Sequence, residues 1–255
     1  MKLTDPKLLF IGGLIASIIT FGLWKITHNT YAASALILVG SFTTPVAVMA
    51  FVNKHINIKD KLPNSVLLNC FMVGGAIGLI AAGFFEFNIP LSRTFSGYLG
   101  VGLIEESVKL IFPVALYLGW RYRRLSDGLL IGVASGMGFA VLETIGKGLI
   151  AFGDHANLGY IMLTRGFFTP FGHPAWTGLI CAILWSERRR SGKTLTTMGF
   201  GVFVLAIVLH ATWDSANRLD IPDIATAALL MLIGVFTMSL LFGQFEKAEK
   251  ENADV

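Results

Sequence analysis

Two adjacent carboxylates and a lysine interrupt an apolar stretch long enough to be a membrane helix. The stretch 97–118 contains Glu105, Glu106 and Lys109 and is otherwise almost wholly apolar. A charge at the centre of a membrane helix costs roughly 2.5–3.5 kcal/mol, so this cluster indicates a function. On a helix Lys109 lies one turn from both acids and can neutralise either of them. An ion pair that only joins helices would leave the second carboxylate unexplained.

Later apolar stretches carry further acids and imidazoles. Glu143 is followed one turn later by Lys147, His173 opens a stretch of its own, and His210 and Asp214 are spaced i,i+4. A carboxylate at that spacing can orient an imidazole and fix its tautomer. Each residue also has a structural interpretation: a rim salt bridge for Glu143, a helix start for His173, and a helix end meeting water for Asp214.

Several carboxylates with two histidines suit the activation of a water molecule. A glutamate can act as general base, and histidines can stabilise an oxyanion or bind a metal ion. Glutamate and histidine ligands with an open position suit catalytic zinc, for which Glu143, His173 and His210 are the candidate ligands. The residues alone leave glutamate-activated and metal-activated water both open. The His-Glu-x-x-His zinc motif is absent from the sequence.

Composition indicates a polytopic membrane protein. The 255 residues are 54% hydrophobic and 14% charged, whereas soluble domains average about 25% charged residues. The basic residues cluster at the ends of apolar runs, which argues against nucleic-acid binding. We therefore expect an all-α membrane helix bundle of about eight transmembrane helices. The apolar runs lie at 7–26, 31–52, 65–87, 97–119, 127–150, 170–186, 196–216 and 223–243.

The distribution of basic residues predicts the orientation. Lysine and arginine gather at the N-terminus and after the second, fourth, sixth and eighth runs, and are sparse in the alternate loops. The positive-inside rule then places both termini in the cytoplasm. An even number of helices agrees with this, because it requires both termini to lie on the same side. The basic residues on the predicted cytoplasmic side are Lys2, Lys7, Lys54, Lys59, Lys61, Arg121, Arg123, Arg124, Arg188, Arg189, Arg190, Lys193, Lys247 and Lys250.

This orientation brings the candidate residues to one depth. The runs 97–119 and 170–186 point inward, and the runs 127–150 and 196–216 point outward. We expect the acids and imidazoles on all four to lie in the outer half of the membrane and to converge on one water-accessible cavity. The stretch 151–169 is too polar to span and is expected at the interface.

The chain is predicted to be a single integral membrane domain, 1–255, without a soluble domain. Residues 97–216 form the motif-bearing catalytic core, and residues 1–96 and 217–243 supply flanking helices. Residues 244–255 form a polar cytoplasmic tail.

A stripe of small residues marks the helix predicted at 127–150. Gly128, Gly132 and Gly136 are spaced i,i+4, which suits close packing against a neighbouring helix. Ser135 lies beside these glycines, but its spacing is not that of a Gly-x-Ser-Gly serine site. We interpret Ser135 as a packing residue.

The motifs resemble those of the PrsW-type intramembrane proteases, within the wider superfamily of CAAX-processing and bacteriocin-processing enzymes. The family pattern Glu-Glu-x-x-Lys occurs at 105–109, Phe-x-x-x-Glu at 139–143 and His-x-x-Trp-Asp at 210–214, with His173 and Trp176 between them. Order and spacing match across 97–216. The superfamily's Glu-Glu-x-x-x-Arg and Phe-x-x-x-His are not matched, which argues against prenyl-CAAX processing.

The resemblance implies an intramembrane endopeptidase of a bacterial or archaeal cell membrane. Its substrate would be a membrane-anchored protein cut near the extracytoplasmic face, as in site-1 cleavage of an anti-sigma factor. Members are often treated as metallopeptidases, which implies a divalent metal, preferably Zn²⁺. The catalytic candidates are Glu105, Glu106, Glu143, His173, His210 and Asp214, and the supporting candidates are Lys109, Phe139, Trp176 and Trp213.

Two alternatives come from other functional classes. Buried acids, lysine and histidines could form the ion path of a coupled transporter, although the sequence shows no inverted repeat of the kind such folds often carry. The second alternative is a non-catalytic scaffold of the same fold, in contact with membrane lipid and a protein partner.

Overall fold

The computed structural model describes residues 5–55, 62–153 and 157–253. Lys2, Lys59 and Lys61, which entered the orientation argument, lie outside these ranges. Every regular element within them is helical. The α-helices are α1 Pro6–Thr27, α2 Thr30–His55, α3 Asn64–Asn69, α4 Gly75–Asn88, α5 Phe95–Lys109, α6 Ile111–Leu118, α7 Leu125–Gly153, α8 Leu158–Phe168, α9 His173–Ser191, α10 Thr197–Ala216 and α11 Asp223–Ala253. A π-helical turn, Cys70–Gly74, joins α3 to α4, and a 3₁₀ turn, Thr169–Phe171, precedes α9.

Seven segments of the described chain are long and apolar enough to cross a membrane. They are Pro6–Thr27, Thr30–Val52, Asn64–Asn88, Leu125–Gly153, Leu158–Ser191, Thr197–Ala216 and Ile224–Glu251. The prediction of an all-α polytopic membrane protein is confirmed. The remaining predicted span, 97–119, carries the acidic cluster and is divided into α5 and α6 at Leu110. Pro113 explains the break, because it lacks the N–H that would bond to the carbonyl of Lys109.

The described residues form two compact units. The first takes in the described parts of Met1–Asn57 and Ala140–Pro170. Here α1 packs along α2, and a Cβ on Gly13 would lie only 2.5 Å from the hydroxyl oxygen of Thr43. Small residues therefore let the two backbones approach closely. The core of this unit comprises Ala33, Leu36, Ile37, Ala151, Leu158 and Met162.

The second unit takes in the described parts of Ile58–Phe139 and Phe171–Val255. In it α5 packs against α4 and α10, and α9 packs against α10 and α11. A Cβ on Gly102 would lie 3.0 Å from the carbonyl oxygen of Ile207 and 3.4 Å from the Cβ of His210. The close approach of α5 and α10 therefore occurs one turn before the acidic pair.

Threonine caps begin both of these helices. The hydroxyl of Thr94 accepts a hydrogen bond from the Gly97 N–H at 3.4 Å, and the hydroxyl of Thr196 accepts one from the Gly199 N–H at 3.1 Å. Such caps satisfy backbone donors that the first turn leaves open. They therefore help to set where α5 and α10 begin. The start of each helix in turn sets the position of its polar residues along the helix axis.

The glycine stripe of α7 packs against α9, as the sequence predicts. Cβ atoms would lie 2.6 Å from the ring of Trp185 at Gly128, 2.5 Å from the Thr177 carbonyl oxygen at Gly132, and 2.6 Å from the His173 carbonyl oxygen at Gly136. No side chain fits at these three points. The last contact holds the start of α9, which carries His173.

Gly132→Ala is expected to lower the melting temperature in detergent, because its methyl group would force α7 and α9 apart. Overpacking of this kind costs about 1–3 kcal/mol. Gly146→Ala is the matched control on the same helix, since a Cβ at Gly146 meets nothing within 4 Å. Tryptophan fluorescence melting of both variants checks the prediction. An equal effect of the two substitutions would contradict the packing of the stripe.

The end of the last helix and the stretch 151–169 go beyond the sequence prediction. The last helix, α11, continues through Ala253 beyond the predicted end at 243, because Gln244 and Ala248 are buried on its inner face. Alanine, glutamate and lysine in this part also favour helix. In the stretch 151–169, α8 is helical but only about 16 Å long at 1.5 Å per residue, too short to span alone. Its expected place at the interface stays a prediction.

Candidate active site

Helices α5, α9 and α10 meet at the carboxylate of Glu106. Its Oε1 lies 2.8 Å from Nδ1 of His210, 2.7 Å from Nζ of Lys109 and 3.9 Å from Nδ1 of His173. The side chains of Glu106 and Lys109 are fully buried. A glutamate that is kept from solvent and paired in this way is suited to orienting its neighbours.

Lys109 is the cation at the centre of the cluster. Its ammonium lies 2.7 Å from Glu106 Oε1, 3.2 Å from Glu105 Oε2 and 2.6 Å from His173 Nδ1. It also lies 4.4 Å from the ring centroid of Phe139, a cation–π contact. The lysine therefore contacts both acids and one histidine. The sequence had indicated only that it neutralises one of the two carboxylates.

The partners of the two imidazoles assign their protons. An ammonium can only donate, so Nδ1 of His173 accepts from Lys109, and the neutral ring carries its proton on Nε2. An ionised carboxylate can only accept, so Nδ1 of His210 donates to Glu106. Oδ2 of Asp214 lies 3.5 Å from Nε2 of the same ring, so a ring that pairs with both carboxylates carries a proton on each nitrogen. The two histidines are thus prepared for different tasks.

Glu105 faces both histidines. Its Oε2 lies 3.7 Å from Nε2 of His210 and 4.0 Å from Nδ1 of His173. That oxygen is buried and receives no hydrogen bond from the part of the chain that the structure describes; the Lys109 ammonium, 3.2 Å away, is close but not aligned for one. A buried carboxylate oxygen in this position is available to a further ligand.

Asp214 contacts the same imidazole as Glu106 from the other side. Its Oδ2 lies 3.5 Å from Nε2 of His210, and its side chain is 29% exposed. The i,i+4 spacing led us to expect Asp214 to orient the ring. Glu106 makes the shorter contact, from a different helix and with the other ring nitrogen, so a carboxylate lies on each side of the ring.

Aromatic rings enclose the two histidines. Trp176 stacks on His210 with ring centroids 5.1 Å apart and planes 30° apart, and Trp213 meets Trp176 edge to face at 6.1 Å. Phe139 contacts His173 edge to face at 5.3 Å. These are the aromatic residues that the motifs singled out. They surround the ion pairs with apolar surface, in which electrostatic interactions are strong.

Glu143 belongs to the first compact unit. There its Oε1 lies 2.5 Å from Nζ of Lys147, and its Oε2 lies 2.5 Å from a guanidinium nitrogen of Arg165. Arg165 also donates to the hydroxyl of Thr144 at 3.2 Å. The i,i+4 spacing indicated the pair with Lys147, whereas no sequence pattern pointed to Arg165. The predicted roles of Glu143 in catalysis and metal binding stay predictions.

Glu105, His173 and His210 form a group that could hold a metal ion, with one donor atom from each within 4.8 Å of the others. The donor types fit zinc, and Glu106 supplies the carboxylate that usually supports a ligating histidine. The unbonded oxygen of Glu105 is suited to an ion, and Nε2 of His210 would ligate the ion after losing its proton. At His173 an ion would compete with Lys109 for Nδ1.

The sequence that forms this site matches a known protein family. Residues 62–241, more than half of the chain, match the model of the PrsW family intramembrane metalloproteases. The chain belongs to the PrsW family. The match extends on both sides of the range 97–216 that the motifs alone covered. No match to a curated protein was found, and none to a solved structure.

Membership fixes the broad activity of this PrsW protein. It is an intramembrane protease and an integral membrane protein, its substrates are proteins, and the family description implies a metal. The family description favours a protease over an ion-coupled transporter. Within the second unit, the structure brings together the motif residues of α5, α9 and α10.

Proposed function

We propose that this protease cleaves membrane-anchored proteins with water activated at Glu105. The observation that carries the proposal is the buried Oε2 of Glu105, which has no aligned hydrogen-bond donor among the described residues and faces both His173 and His210. A carboxylate held away from bulk water can take a proton from a nearby water molecule. Glu106 is fully buried and doubly paired, so we assign it to orienting His210 and holding Lys109.

The reaction then follows from the donors and acceptors of the site. Glu105 takes a proton from water as the water oxygen forms a bond to the carbonyl carbon of the scissile peptide. The carbonyl oxygen becomes an oxyanion, for which the Nε2–H of His173 is the suited donor. When the C–N bond breaks, the proton on Glu105 passes to the leaving amine. The products are a carboxylic acid and an amine, and Glu105 is again a carboxylate.

The metal that the family description implies would be held by Glu105, His173 and His210. A carboxylate has two oxygens, so Glu105 would give one to the ion and keep the other to take the proton of water. When bound, a zinc ion supplies Lewis acidity, which polarises a carbonyl group and acidifies water. The support for this ligand set is the donor chemistry of the three side chains and the carboxylate of Glu106 behind His210. Zinc is the proposed ion.

We assign the site to the extracytoplasmic side of the membrane and both termini to the cytoplasm. His173 begins α9, and Arg188, Arg189 and Arg190 lie in its last turn. A helix of 19 residues is about 28 Å long, close to the thickness of the hydrocarbon core. Because basic residues stay on the cytoplasmic side, His173 belongs to the opposite face. Site-1 cleavage of an anti-sigma factor is the physiological reaction we propose.

The purified protein in liposomes is expected to cleave a single-span substrate near its extracytoplasmic end. A chelator should abolish cleavage, and zinc added in stoichiometric amount should restore it. The control is the same chelator already saturated with zinc, which should leave the rate unchanged. Cleavage that persists in metal-free protein would overturn the metal, and absence of cleavage for every membrane-anchored substrate tested would overturn the proposed reaction.

A further inference from the structure

At the break after α5 a proline stands where the helix would need a backbone N–H. In a continuous helix the carbonyl of Lys109 would accept from the N–H of residue 113, but that residue is Pro113. The helix ends at Lys109 and resumes at Ile111. A buried carbonyl that loses its partner is costly unless another donor reaches it.

Ser135 on α7 supplies that donor. Its hydroxyl donates to the Lys109 carbonyl oxygen at 3.1 Å, and the serine is fully buried. A glycine makes room for the serine: a Cβ on Gly74 would lie 2.6 Å from the Ser135 hydroxyl oxygen. The neighbouring segment thus leaves space for the hydroxyl that holds the Lys109 carbonyl.

We propose that Ser135 is a positioning residue of the active site. Its hydrogen bond fixes the backbone of Lys109, whose ammonium reaches Glu105, Glu106 and His173. Ser135 does not touch the reacting groups; it acts through Lys109. The inference rests on the proposed function, and it assigns a role to a residue that the sequence indicated only as packing.

Ser135→Ala is expected to lower kcat by about 10- to 100-fold, the order of effect that a small misplacement of catalytic groups produces. KM should change little, because the serine does not contact substrate. Pro113→Ala adds an N–H four residues after Lys109 and offers the carbonyl a new partner. The double variant Ser135→Ala/Pro113→Ala should therefore recover most of the lost kcat, and the two substitutions should also be non-additive in thermal melting.

Ser126→Ala is the matched control. Ser126 lies on the same helix and is also buried, but its hydroxyl makes no hydrogen bond with the described residues. It should keep the kcat of the unmodified protein. An unchanged kcat in Ser135→Ala, or additive losses in the double variant, would overturn the inference. An unmodified protein that cleaves nothing, yet shows the thermal non-additivity, would support the hydrogen bond and count against the proposed function.

Discussion

Replacing Glu105 with glutamine is expected to reduce kcat by about 10²–10⁴-fold, the usual contribution of a general base. Glutamine has the same shape but cannot take a proton from water. Its amide can still pack beside Lys109, so the melting temperature should change much less than the rate. The measurement is the rate of cleavage of a single-span substrate by purified protein in liposomes, with melting in detergent alongside.

Glu187→Gln is the control for this substitution. Glu187 forms an ion pair with Arg190, 3.0 Å between Oε1 and Nε, and the Arg190 side chain is 74% exposed. Pairs with an exposed partner contribute little. The control should keep full activity. The companion variants Glu106→Gln, Glu143→Gln and His210→Ala should each lose cleavage as well. Full activity in all of these site variants would remove the assignment of the site.

Replacing Lys109 with methionine is expected to destabilise the protein by about 3–5 kcal/mol, the cost of removing one partner of a buried ion pair. The lysine is fully buried and is the cation shared by Glu105 and Glu106, so its loss leaves two adjacent carboxylates uncompensated. Cleavage should be lost with it. Denaturant unfolding in mixed micelles, followed by tryptophan fluorescence, measures the change in the free energy of unfolding.

Lys147→Met provides the comparison at the same i,i+4 spacing. Lys147 pairs with Glu143 at 2.5 Å, but its side chain is half exposed. Exposed pairs contribute about 0–1 kcal/mol, so the control should stay within about 1 kcal/mol of the unmodified protein. Equal changes in the free energy of unfolding of the two variants would contradict the claim that the buried ion pairs of Lys109 stabilise the protein more than the exposed pair does.

The helices were largely predictable because membrane spans depend on local composition. Apolar runs of about 20 residues located most of them, and the glycine stripe of α7 predicted its close packing. The length of α11 was not predictable from polarity. Gln244 is a polar residue, which indicated the end of the helix, yet its side chain is buried in the structure. The division of α5 and α6 at Leu110 could have been suspected from Pro113.

The residues that lie around Glu106 were all named from the sequence, but their pairings between helices were not. Spacing along one helix suggested that Asp214 orients His210, whereas the shorter contact comes from Glu106 on α5. Contacts between helices depend on packing that no local pattern encodes. For the same reason Ser135 was interpreted as packing, since its partner is a carbonyl 26 residues earlier in the chain.

The metal content of the purified protein tests the central claim most directly. Elemental analysis of unmodified protein and of His210→Ala, both purified without added metal, measures the zinc bound to each chain. The account predicts about one zinc per chain in the unmodified protein and loss of most of it in His210→Ala, whose imidazole is the ligand that Glu106 supports. An active protein that contains no metal, or full zinc occupancy in His210→Ala, would contradict it.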